Sequence, residues 1–535
     1  MQPVVAALEA LSRRVHDELA LFEYLTKDWV VPRRGPNGEA VQNVVIVGGG
    51  QTGLGIAFGL QRERISGVQV LDANPEGEEG PWVTFARMVT LRTLKFLTGP
   101  DLGLPSLTFR AWHETQYGKR SWEALVRIPK EEWMRYLVWF RDTLRLPVRN
   151  NVRLERIEPH GELLALHLGR CENRACDGKE HTSRGGEHTG RGEKPTGHGE
   201  QHTCHGAKRS GEAISRPSND SQAGTEILLT RKLVLATGID GAGARRVPEF
   251  VRNKLPRSAW AHTSDAIDMV ALAGRRVAVI GGGASAFDNA ATALECGAAS
   301  VDVFIRRADL PVANSYRALE SAGFWRNFGD MPDAQRWRFM CHLLSLPMPP
   351  PQDTLQRTLC HANVALHFAA PVLDAETAAG GIRLRTPKGW HAADFLILGT
   401  GFGVDLHTRA EFAGLAEHVA LWGDRYAPPP GGVPREADTA AARYPYVGPH
   451  FELLEKHPGT LPALRNIHLF NAGSLISMGP VAGGLNGMPF GIPRLVAGLS
   501  HDLFREELDG LFEEFSHYDE PDAWEALRAG GSGSG

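Results

Sequence analysis

The chain has 535 residues, which is too long for one hydrophobic core, so we expect it to divide into two or three compact units. It is 42% hydrophobic and 22% charged, as is typical of a globular protein, and its net charge of −4 favours neither a nucleic acid nor an anionic membrane as partner. No apolar run reaches the roughly 18 residues of a membrane-spanning helix, so the sequence favours a cytoplasmic protein with a small-molecule substrate; homo-oligomerisation stays open.

The N-terminal segment carries apolar residues at helical spacing. They are Val4, Leu8, Leu11, Val15, Leu19 and Phe22. This spacing predicts an amphipathic helix over residues 4–22 that packs on the body of the protein. Pro32 to Gly38 then forms a turn-rich connection, so residues 1–38 are predicted to be a helix and a linker.

A glycine-rich turn follows the first strongly apolar strand, where residues 44–53 read VVIVGGGQTG. In this pattern Gly48 allows a tight bend, Gly50 lets a pyrophosphate approach the backbone, and Gly53 lets the next helix pack on the strand. The next apolar strand ends at Asp72, whose carboxylate can accept both hydroxyls of a ribose. The sequence therefore predicts a dinucleotide site at the helix N-terminus. Its predicted contacts are Gly48, Gly50, Gln51, Thr52, Gly53 and Asp72.

Apolar residues alternate over 153–168 and again over 227–235, which predicts a small antiparallel hairpin. Between them, residues 171–224 are rich in Gly, Ser, Thr, Glu and His and almost lack apolar side chains, so this insert is predicted to be disordered. Its possible metal ligands match no tetrahedral zinc spacing, and no metal site is predicted. These residues are His181, His188, His198, His202, His205, Cys171, Cys176 and Cys204.

A second glycine-rich turn lies at residues 277–286, which read VAVIGGGASA. The strand after it, 301–305, ends in Arg306 and Arg307 instead of an acid. A carboxylate there would repel a 2′-phosphate, whereas guanidinium groups bind it, so this turn predicts an NADPH site and the first turn an FAD site. The alternative is that both arginines are solvated surface charges. The predicted NADPH contacts are Gly281, Gly283, Ala284, Ser285, Ala286, Arg306 and Arg307.

Two strand ends, LATG at 235–238 and LGTG at 398–401, bracket the second turn. Such endings occur where the chain of a two-dinucleotide flavoprotein crosses between domains, so Thr237, Gly238 and Gly401 are predicted to line the cofactors. The predicted fold class is α/β, with two Rossmann-like dinucleotide-binding domains plus a small antiparallel hairpin. The FAD domain would comprise residues 39–240 and 396–529, the NADPH domain residues 241–395, and 530–535 would be an added glycine-serine linker.

With these motifs in order, the chain resembles the NAD(P)H-dependent class B flavin monooxygenases: the flavin-containing monooxygenases, the Baeyer–Villiger monooxygenases and the siderophore-type N-hydroxylases. Residues 80–82 read GPW, in the place of the G-x-W that lies beside the isoalloxazine and includes Trp82, and residues 93–95 read TLK, similar to a T-S-K motif. Arg92 stands where flavin-containing monooxygenases have an asparagine near the flavin C4a. His262 is the part of the Baeyer–Villiger fingerprint that is present. The resemblance implies that Arg92, Lys95 and His262 are candidates for catalytic residues.

Near the C-terminus, residues 483–490 read GGLNGMPF and precede an apolar helical segment. A glycine-rich turn before a helix can direct N–H groups at the pyrimidine oxygens of a flavin. Asn486 is therefore predicted to contact the cofactor.

The resemblance implies that NADPH passes hydride to FAD and that reduced flavin adds O2 at C4a to form a hydroperoxide, which transfers one oxygen atom to a small organic substrate. Residues 128–133, 136–139 and 394–402 resemble stretches of the N-hydroxylases, which favours a nitrogen centre over a ketone as substrate. Baeyer–Villiger oxidation, an FAD-dependent NAD(P)H oxidoreductase without oxygen insertion, and a nucleotide-sensing scaffold are the alternatives.

Overall fold

The computed structural model describes residues 2–22, 27–96, 99–171, 226–428 and 436–519. None of the helices in these ranges is long and apolar enough to cross a membrane. The α-helices are α1 Gln2–Leu21, α2 Gln51–Arg62, α3 Phe109–Ala124, α4 Lys130–Leu144, α5 Glu249–Lys254, α6 Ala284–Glu295, α7 Ala322–Asn327, α8 Asp333–Ser345, α9 Gln352–Leu359, α10 Trp422–Arg425, α11 Glu436–Ala441, α12 Leu475–Met478 and α13 Met488–Ser516.

The strands form four sheets. They are β1 Val41–Val47, β2 Val68–Leu71, β3 Val148–Arg149, β4 Val152–His160, β5 Leu163–Arg170, β6 Glu226–Leu235, β7 Gly243–Arg245, β8 Trp260–His262, β9 Arg276–Ile280, β10 Ser300–Phe304, β11 Val364–His367, β12 Asp374–Ala378, β13 Gly381–Thr386, β14 Gly389–Ala393, β15 Phe395–Leu398, β16 Phe402–Val404 and β17 Ile467–His468.

The larger sheet contains the strand that leads into the first glycine turn. Its strand order is β3-β2-β1-β6-β5-β4, with β17 beside β6. β1 pairs in parallel with β2 and with β6, and Val44, Val45 and Ile46 of β1 are fully buried. Burial of successive residues is expected of a parallel strand that is covered on both faces.

The antiparallel unit differs from the prediction in its pairing. β4 and β5 form a complete hairpin with each other, and β5 also pairs with β6 in antiparallel orientation. β6 is therefore shared, because its other edge is a parallel neighbour of β1. The alternation over 153–168 marks both strands of the hairpin, and the alternation over 227–235 marks a central strand of the sheet. The insert that was predicted to be disordered lies outside the described residues, apart from Cys171.

The second sheet has the order β11-β10-β9-β15-β8, and all of its pairings are parallel. β9 leads into the second glycine turn and α6, and β10 leads to the two arginines. A three-stranded antiparallel sheet, β12-β13-β14, packs on it through a shared core that includes Ile382, Leu384, Leu396 and Leu398. The chain is thus a mixed α/β protein in which each glycine motif follows a strand with parallel neighbours, in a mixed larger sheet and in a fully parallel second sheet.

The N-terminal helix α1 is attached to the body of the protein. Leu11 and Val15 are buried in the core of the larger sheet. Ser12 Oγ lies 2.8 Å from Thr143 Oγ1, and His16 Nε2 lies 2.7 Å from the carbonyl oxygen of Thr143, so polar contacts to α4 complement the apolar face.

A separate core joins α7, α8, α10, α11 and α12. Phe328, Trp337, Met340, Trp422 and Ile476 are buried there. We call this unit the helical cluster. Its α7 packs on α13, which in turn packs on α2, so the helical cluster is connected to the helix that follows the first glycine turn.

Candidate active site

The first glycine turn has the shape that a pyrophosphate needs. Gly48 has a φ of +109°, and a Cβ there would lie 2.4 Å from the carbonyl oxygen of Ala236. A Cβ at Gly53 would lie 1.8 Å from the oxygen of Gly48, so a larger residue would clash at either position. At Gly50 the nearest heavy atom to a Cβ would be the Cα of Gly80, 3.8 Å away, which leaves room beside the turn for a ligand.

The start of α2 offers donors next to this space. The N-cap residue of α2, Gly50, makes no side-chain capping bond to the first turn, and N–H groups at such a helix start bind phosphate well. Gln51 Oε1 accepts a hydrogen bond from Trp133 Nε1 at 3.1 Å, and Thr52 is half-buried beside it. The ring of Trp133 packs edge-to-face on Trp82, with centroids 6.4 Å apart. The Nε1 of Trp82 is buried and has no hydrogen-bond partner among the described residues, which fits a donor that a cofactor would satisfy.

Asp72 follows β2, where a ribose is predicted to bind. The residue is 6% exposed, and its two oxygens accept hydrogen bonds from the N–H groups of Gly49 at 2.7 Å and Asn74 at 2.8 Å. Burial raises the pKa of Asp72 to about 6, although both N–H groups lower it, and the charge of Glu79 raises it further. Ribose hydroxyls that donate to this carboxylate would favour its ionised form.

The first Thr-Gly strand end connects β6 to the C-terminal part of the chain. Thr237 Oγ1 accepts a hydrogen bond from Asn471 Nδ2 at 3.0 Å. Gly238 has a φ of +78°, and its carbonyl accepts a bond from the N–H of Ala472 at 3.3 Å. Both residues follow the carboxyl end of β6, and β6 pairs in parallel with β1, so they lie at the end of the larger sheet where the first glycine turn begins.

The second glycine turn repeats the geometry with one substitution. Gly281 has a φ of +137°, and a Cβ there would lie 2.4 Å from the carbonyl oxygen of Gly399. Ala286 replaces the third glycine and is fully buried. A Cβ at Gly399 would lie only 2.7 Å from the Cβ of Ala286, so the lack of a side chain at Gly399, just before Thr400, leaves room for the Ala286 methyl group. α6 begins at Ala284 without a side-chain cap, and no heavy atom lies within 4 Å of a Cβ at Gly283. This turn also fits a dinucleotide pyrophosphate.

Arg306 and Arg307 follow β10, the parallel neighbour of β9, so they lie at the end of the second sheet where the glycine turn also begins. Arg306 is exposed and Arg307 is half-buried, with its carbonyl oxygen bound by the N–H of Ala369 at 2.7 Å. Neither guanidinium forms an ion pair with another residue in the part of the chain that the structure describes. Both charges are therefore available to a phosphate.

His262 ends β8 and is fully buried. Its Nδ1 lies 2.9 Å from Ser264 Oγ, and its Nε2 lies 3.1 Å from the carbonyl oxygen of Gly401, whose φ is +75°. Burial lowers the pKa of His262 to about 4, so the ring is neutral. Because both ring nitrogens are bonded within the protein, His262 fixes the turn at Gly401 to the second sheet and has no nitrogen left for a substrate.

The Lys95 side chain contacts the end of α3. Its Nζ donates to the carbonyl oxygens of Trp122 at 2.5 Å and of Glu123 at 3.3 Å, and it lies 4.8 Å from the centroid of the Trp122 ring. These are the last carbonyls of α3, which a lysine ammonium group commonly binds. The contact is a helix cap, and a catalytic role for Lys95 stays a prediction.

The Arg92 side chain contacts the helix that follows the second turn. Its Nη2 donates to Asp288 Oδ2 at 3.0 Å and to Ser285 Oγ at 3.4 Å, and both of these residues belong to α6. The residue that the resemblance puts near the flavin C4a thus contacts the helix of the second turn.

Asn486 lies two residues before α13. Its Nδ2 donates to Glu320 Oε1 at 3.1 Å, and its Oδ1 is buried with no hydrogen-bond partner among the described residues. The loop that was predicted to face the flavin is therefore also in contact with the segment before α7.

Comparison with known sequences identifies relatives of this chain. A family model described as FAD-NAD(P)-binding matches residues 45–177. The FAD-dependent urate hydroxylase of Xanthomonas campestris pv. campestris is 41% identical to this chain over 516 residues, which are 96% of this chain and 97% of that protein. This chain belongs to the class B flavin monooxygenases. The flavin monooxygenase described here is accordingly an enzyme that binds FAD and NAD(P)H.

Solved structures show the same fold. Ornithine hydroxylase from Pseudomonas aeruginosa has a TM-score of 0.60 at 17% identity and covers 86% of this chain and 100% of its own. Ornithine N-hydroxylase from Kutzneria sp. 744 has a TM-score of 0.58 at 14% identity, covering 86% and 99%. The FAD-bound cadaverine monooxygenase from Erwinia amylovora has a TM-score of 0.57 at 15% identity, covering 86% and 95%.

Sequence reasoning missed a group of polar residues beside the second Thr-Gly end of this flavin monooxygenase. The N–H of Arg246 donates to the carbonyl oxygen of Gly401 at 2.9 Å, and the carbonyl of Arg246 accepts a bond from Thr400 Oγ1. Burial raises the pKa of Tyr444, and the charge of Arg246 partly opposes this effect. Burial likewise raises the pKa of Tyr316, with a further contribution from Tyr444. The only signal in the sequence was the pair of arginines at 245–246, which no spacing rule marks as functional.

Proposed function

We propose that this flavin monooxygenase hydroxylates urate or a closely related oxopurine, using FAD, NADPH and O2. The observation that supports this most strongly is the 41% identity to a urate hydroxylase over nearly the full length of both chains. In the proposed reaction NADPH supplies two electrons, one atom of O2 enters the substrate as a hydroxyl group, and the other atom leaves as water.

The presence of one glycine turn in each of the two larger sheets supports one dinucleotide cofactor bound beside each sheet. We assign FAD to an FAD domain of residues 39–240 and 396–529 and NADPH to a domain of residues 241–395. The bound flavin would accept hydride from NADPH and activate O2. The first turn would bind the FAD pyrophosphate through N–H groups of α2, Asp72 would accept the ribose hydroxyls, and Trp82 Nε1 would donate to the flavin.

The coenzyme preference follows from the arginines after β10. Their guanidinium groups have no ion-pair partner among the described residues and stand where the 2′-phosphate of NADPH is expected. We therefore propose NADPH, with NADH as the weaker electron donor.

For the substrate we propose the group formed by Arg246, Tyr316 and Tyr444. Urate is a weak acid and carries a negative charge near neutral pH, so a guanidinium group that forms no ion pair with another described residue suits it. Both tyrosines are half-buried and pack on the helical cluster, and burial keeps their hydroxyls protonated, so they can donate hydrogen bonds to ring carbonyls. The N–H of Arg246 donates to the carbonyl of Gly401, and its carbonyl accepts from Thr400 Oγ1, which supports a position of Arg246 at the strand end next to the second cofactor turn.

The holoenzyme supplied with NADPH and labelled O2 tests this proposal against a panel of urate, xanthine, ornithine, a thioether and a ketone. We expect urate to disappear in a 1:1 ratio to NADPH, with one labelled oxygen in the product and little hydrogen peroxide. Arg246→Ala is expected to raise the KM for urate about tenfold or more, as for loss of a charge-assisted hydrogen bond. Arg252→Ala, at an exposed arginine of α5, is the matched control and is expected to keep the KM.

Other outcomes contradict the proposal and favour a defined alternative. Label in a hydroxylamine formed from ornithine would favour N-hydroxylation, and label in an ester formed from the ketone would favour Baeyer–Villiger oxidation. Consumption of NADPH that yields only hydrogen peroxide with every compound would favour an oxidoreductase without oxygen insertion.

A further inference from the structure

Arg92 connects the segment that leads into α4 to the helix of the second turn. Its carbonyl oxygen accepts a hydrogen bond from Arg127 Nη1 at 2.7 Å, so its backbone is held next to the segment that leads into α4. Its side chain extends to α6, where Nη2 contacts Asp288 at 3.0 Å and Ser285 at 3.4 Å. The two residues in contact lie almost 200 positions further along the chain, at 193 and 196 residues from Arg92.

The contact is at the end of α6 that binds phosphate. Ser285 is the second residue of α6, and Gly283 immediately before the helix provides no side-chain cap. In a glycine-turn dinucleotide site the pyrophosphate lies against this first helical turn. The Arg92 guanidinium is therefore within hydrogen-bond distance of a side chain that borders the expected pyrophosphate position.

The guanidinium group has donors to spare. Nη2 makes both contacts to α6, and Nε and Nη1 have no hydrogen-bond partner among the described residues. The side chain is 43% exposed, whereas Asp288 is 2% exposed and is also bound by Thr354 Oγ1 at 2.8 Å. Asp288 is therefore a fixed anchor that orients one edge of the guanidinium group and leaves the other edge open.

We infer that Arg92 binds the pyrophosphate of NADPH and that Asp288 is its positioning residue. The inference rests on the binding of a nicotinamide dinucleotide and is independent of the identity of the organic substrate. It separates two sets of arginines by the part of the coenzyme that they recognise. Arg92 would contact the pyrophosphate, which NADPH and NADH share, whereas Arg306 and Arg307 would contact the 2′-phosphate, which only NADPH carries.

Coenzyme binding to the oxidised holoenzyme tests this separation without turnover. The Kd values of NADP+ and NAD+ are measured by calorimetry for wild type, Arg92→Ala, Arg92→Lys and the double variant Arg306→Ala, Arg307→Ala. Arg92→Ala is expected to raise both Kd values by the same factor of about ten or more, because a charge-assisted contact is lost. Arg92→Lys, which keeps the charge without the planar fork, is expected to lie between wild type and Arg92→Ala. The double variant is expected to raise only the Kd of NADP+.

Arg276→Ala is the matched control for the loss of an arginine–aspartate ion pair in this sheet. Arg276 is the first residue of β9, at the end of that strand away from the glycine turn. Its side chain is 46% exposed, and its Nη2 lies 2.6 Å from Asp394 Oδ1, so its loss is expected to leave both Kd values and the FAD content unchanged. Unchanged Kd values in Arg92→Ala would overturn the inference. A loss confined to NADP+ would also overturn it, because Arg92 would then belong to the 2′-phosphate site, and an equal loss in Arg276→Ala would show a structural effect alone.

Discussion

Asp72→Asn removes the charge at the proposed ribose contact with almost no change in side-chain size. With a pKa of about 6, Asp72 is about 97% ionised at pH 7.5 and about 9% ionised at pH 5. If the ionised form alone binds the ribose at full strength, the Kd of wild type for FAD rises about tenfold between these two pH values. Hydrogen bonds to a charged group contribute about 1.5–3 kcal/mol, so the Asp72→Asn variant is expected to bind FAD about 10- to 150-fold more weakly at pH 7.5.

The assay is a titration of apoenzyme with FAD between pH 5 and pH 8, followed by flavin fluorescence. Asp101→Asn is the matched control, because Asp101 is another buried carboxyl group whose pKa burial raises, and it caps the N–H of Gly103 at 3.0 Å, outside the glycine turn. We expect the Asp101→Asn variant to keep both the affinity and the tenfold pH dependence, and the Asp72→Asn variant to lose both. An Asp72→Asn variant that binds FAD as tightly as wild type at pH 7.5, or that keeps the pH dependence, would refute this account of the ribose contact.

The effect of pH on the stability of the apoenzyme at Asp72 is opposite in sign to its effect on FAD affinity. Its folded pKa of about 6 is above the ordinary value of 3.8, so the folded apoenzyme binds this proton more tightly than the unfolded chain does. Asp72 therefore makes the apoenzyme more stable as the pH falls through about 6. Loss of FAD in acid at this residue would reflect weaker binding, and denaturant unfolding of the apoenzyme at each pH separates the two effects.

Three further predictions concern other parts of the molecule. Replacing Arg306 and Arg307 by Ala should raise the KM for NADPH and leave that for NADH nearly unchanged; equal use of the two coenzymes by wild type would count against the assignment. Burial lowers the pKa of His262 to about 4 from an ordinary 6.5, so the unfolded chain protonates this ring before the folded protein does. The free energy of unfolding is therefore unaffected by His262 above pH 6.5 and falls by about 3 kcal/mol between there and pH 4. A His262→Gln variant should show a shallower fall in the free energy of unfolding between pH 6.5 and pH 4, and an unchanged slope would contradict the prediction. Joining Gly169 to Thr225 through a short glycine turn should leave FAD content, melting temperature and NADPH oxidation intact, because shortening a loop changes its closure entropy little. Metal that copurifies with wild type and is lost on deletion would contradict the absence of a metal site.

The elements around both glycine turns could be predicted because their signals are local. A buried strand, a turn that only glycine permits and the start of a helix lie within about ten consecutive residues, and the structure has them at Val41–Arg62 and Arg276–Glu295. The α/β class followed from these repeated strand and helix patterns. The pairing of β6 did not follow, because its alternation fits an antiparallel hairpin strand as well as a strand shared between two neighbours.

The directions of individual side chains could not be predicted in the same way. A resemblance of short motifs singles out Arg92, Lys95 and His262, but it fixes only a position in the sequence and not the partners of the side chain. Those partners are the carbonyls of α3 for Lys95, α6 for Arg92, and the turn at Gly401 for His262. Each contact depends on how distant segments pack together, and no spacing within one segment encodes it.

The order of strands in the larger sheet has a consequence for synthesis on the ribosome. β8 to β15, which provide every strand of the second sheet, are complete by residue 398, but the larger sheet receives β17 only at residues 467–468 and its covering helix α13 after that. A nascent chain that has emerged to about residue 400 can therefore close the second sheet, while α2 still lacks the helix whose Ile492 and Val496 pack on Gly55 and Gly59. Domains form as the chain emerges, and exposed apolar surface is what chaperones bind. The part of the chain that is synthesised first thus finishes folding last, and a chain truncated before α13 is expected to leave α2 exposed to chaperones.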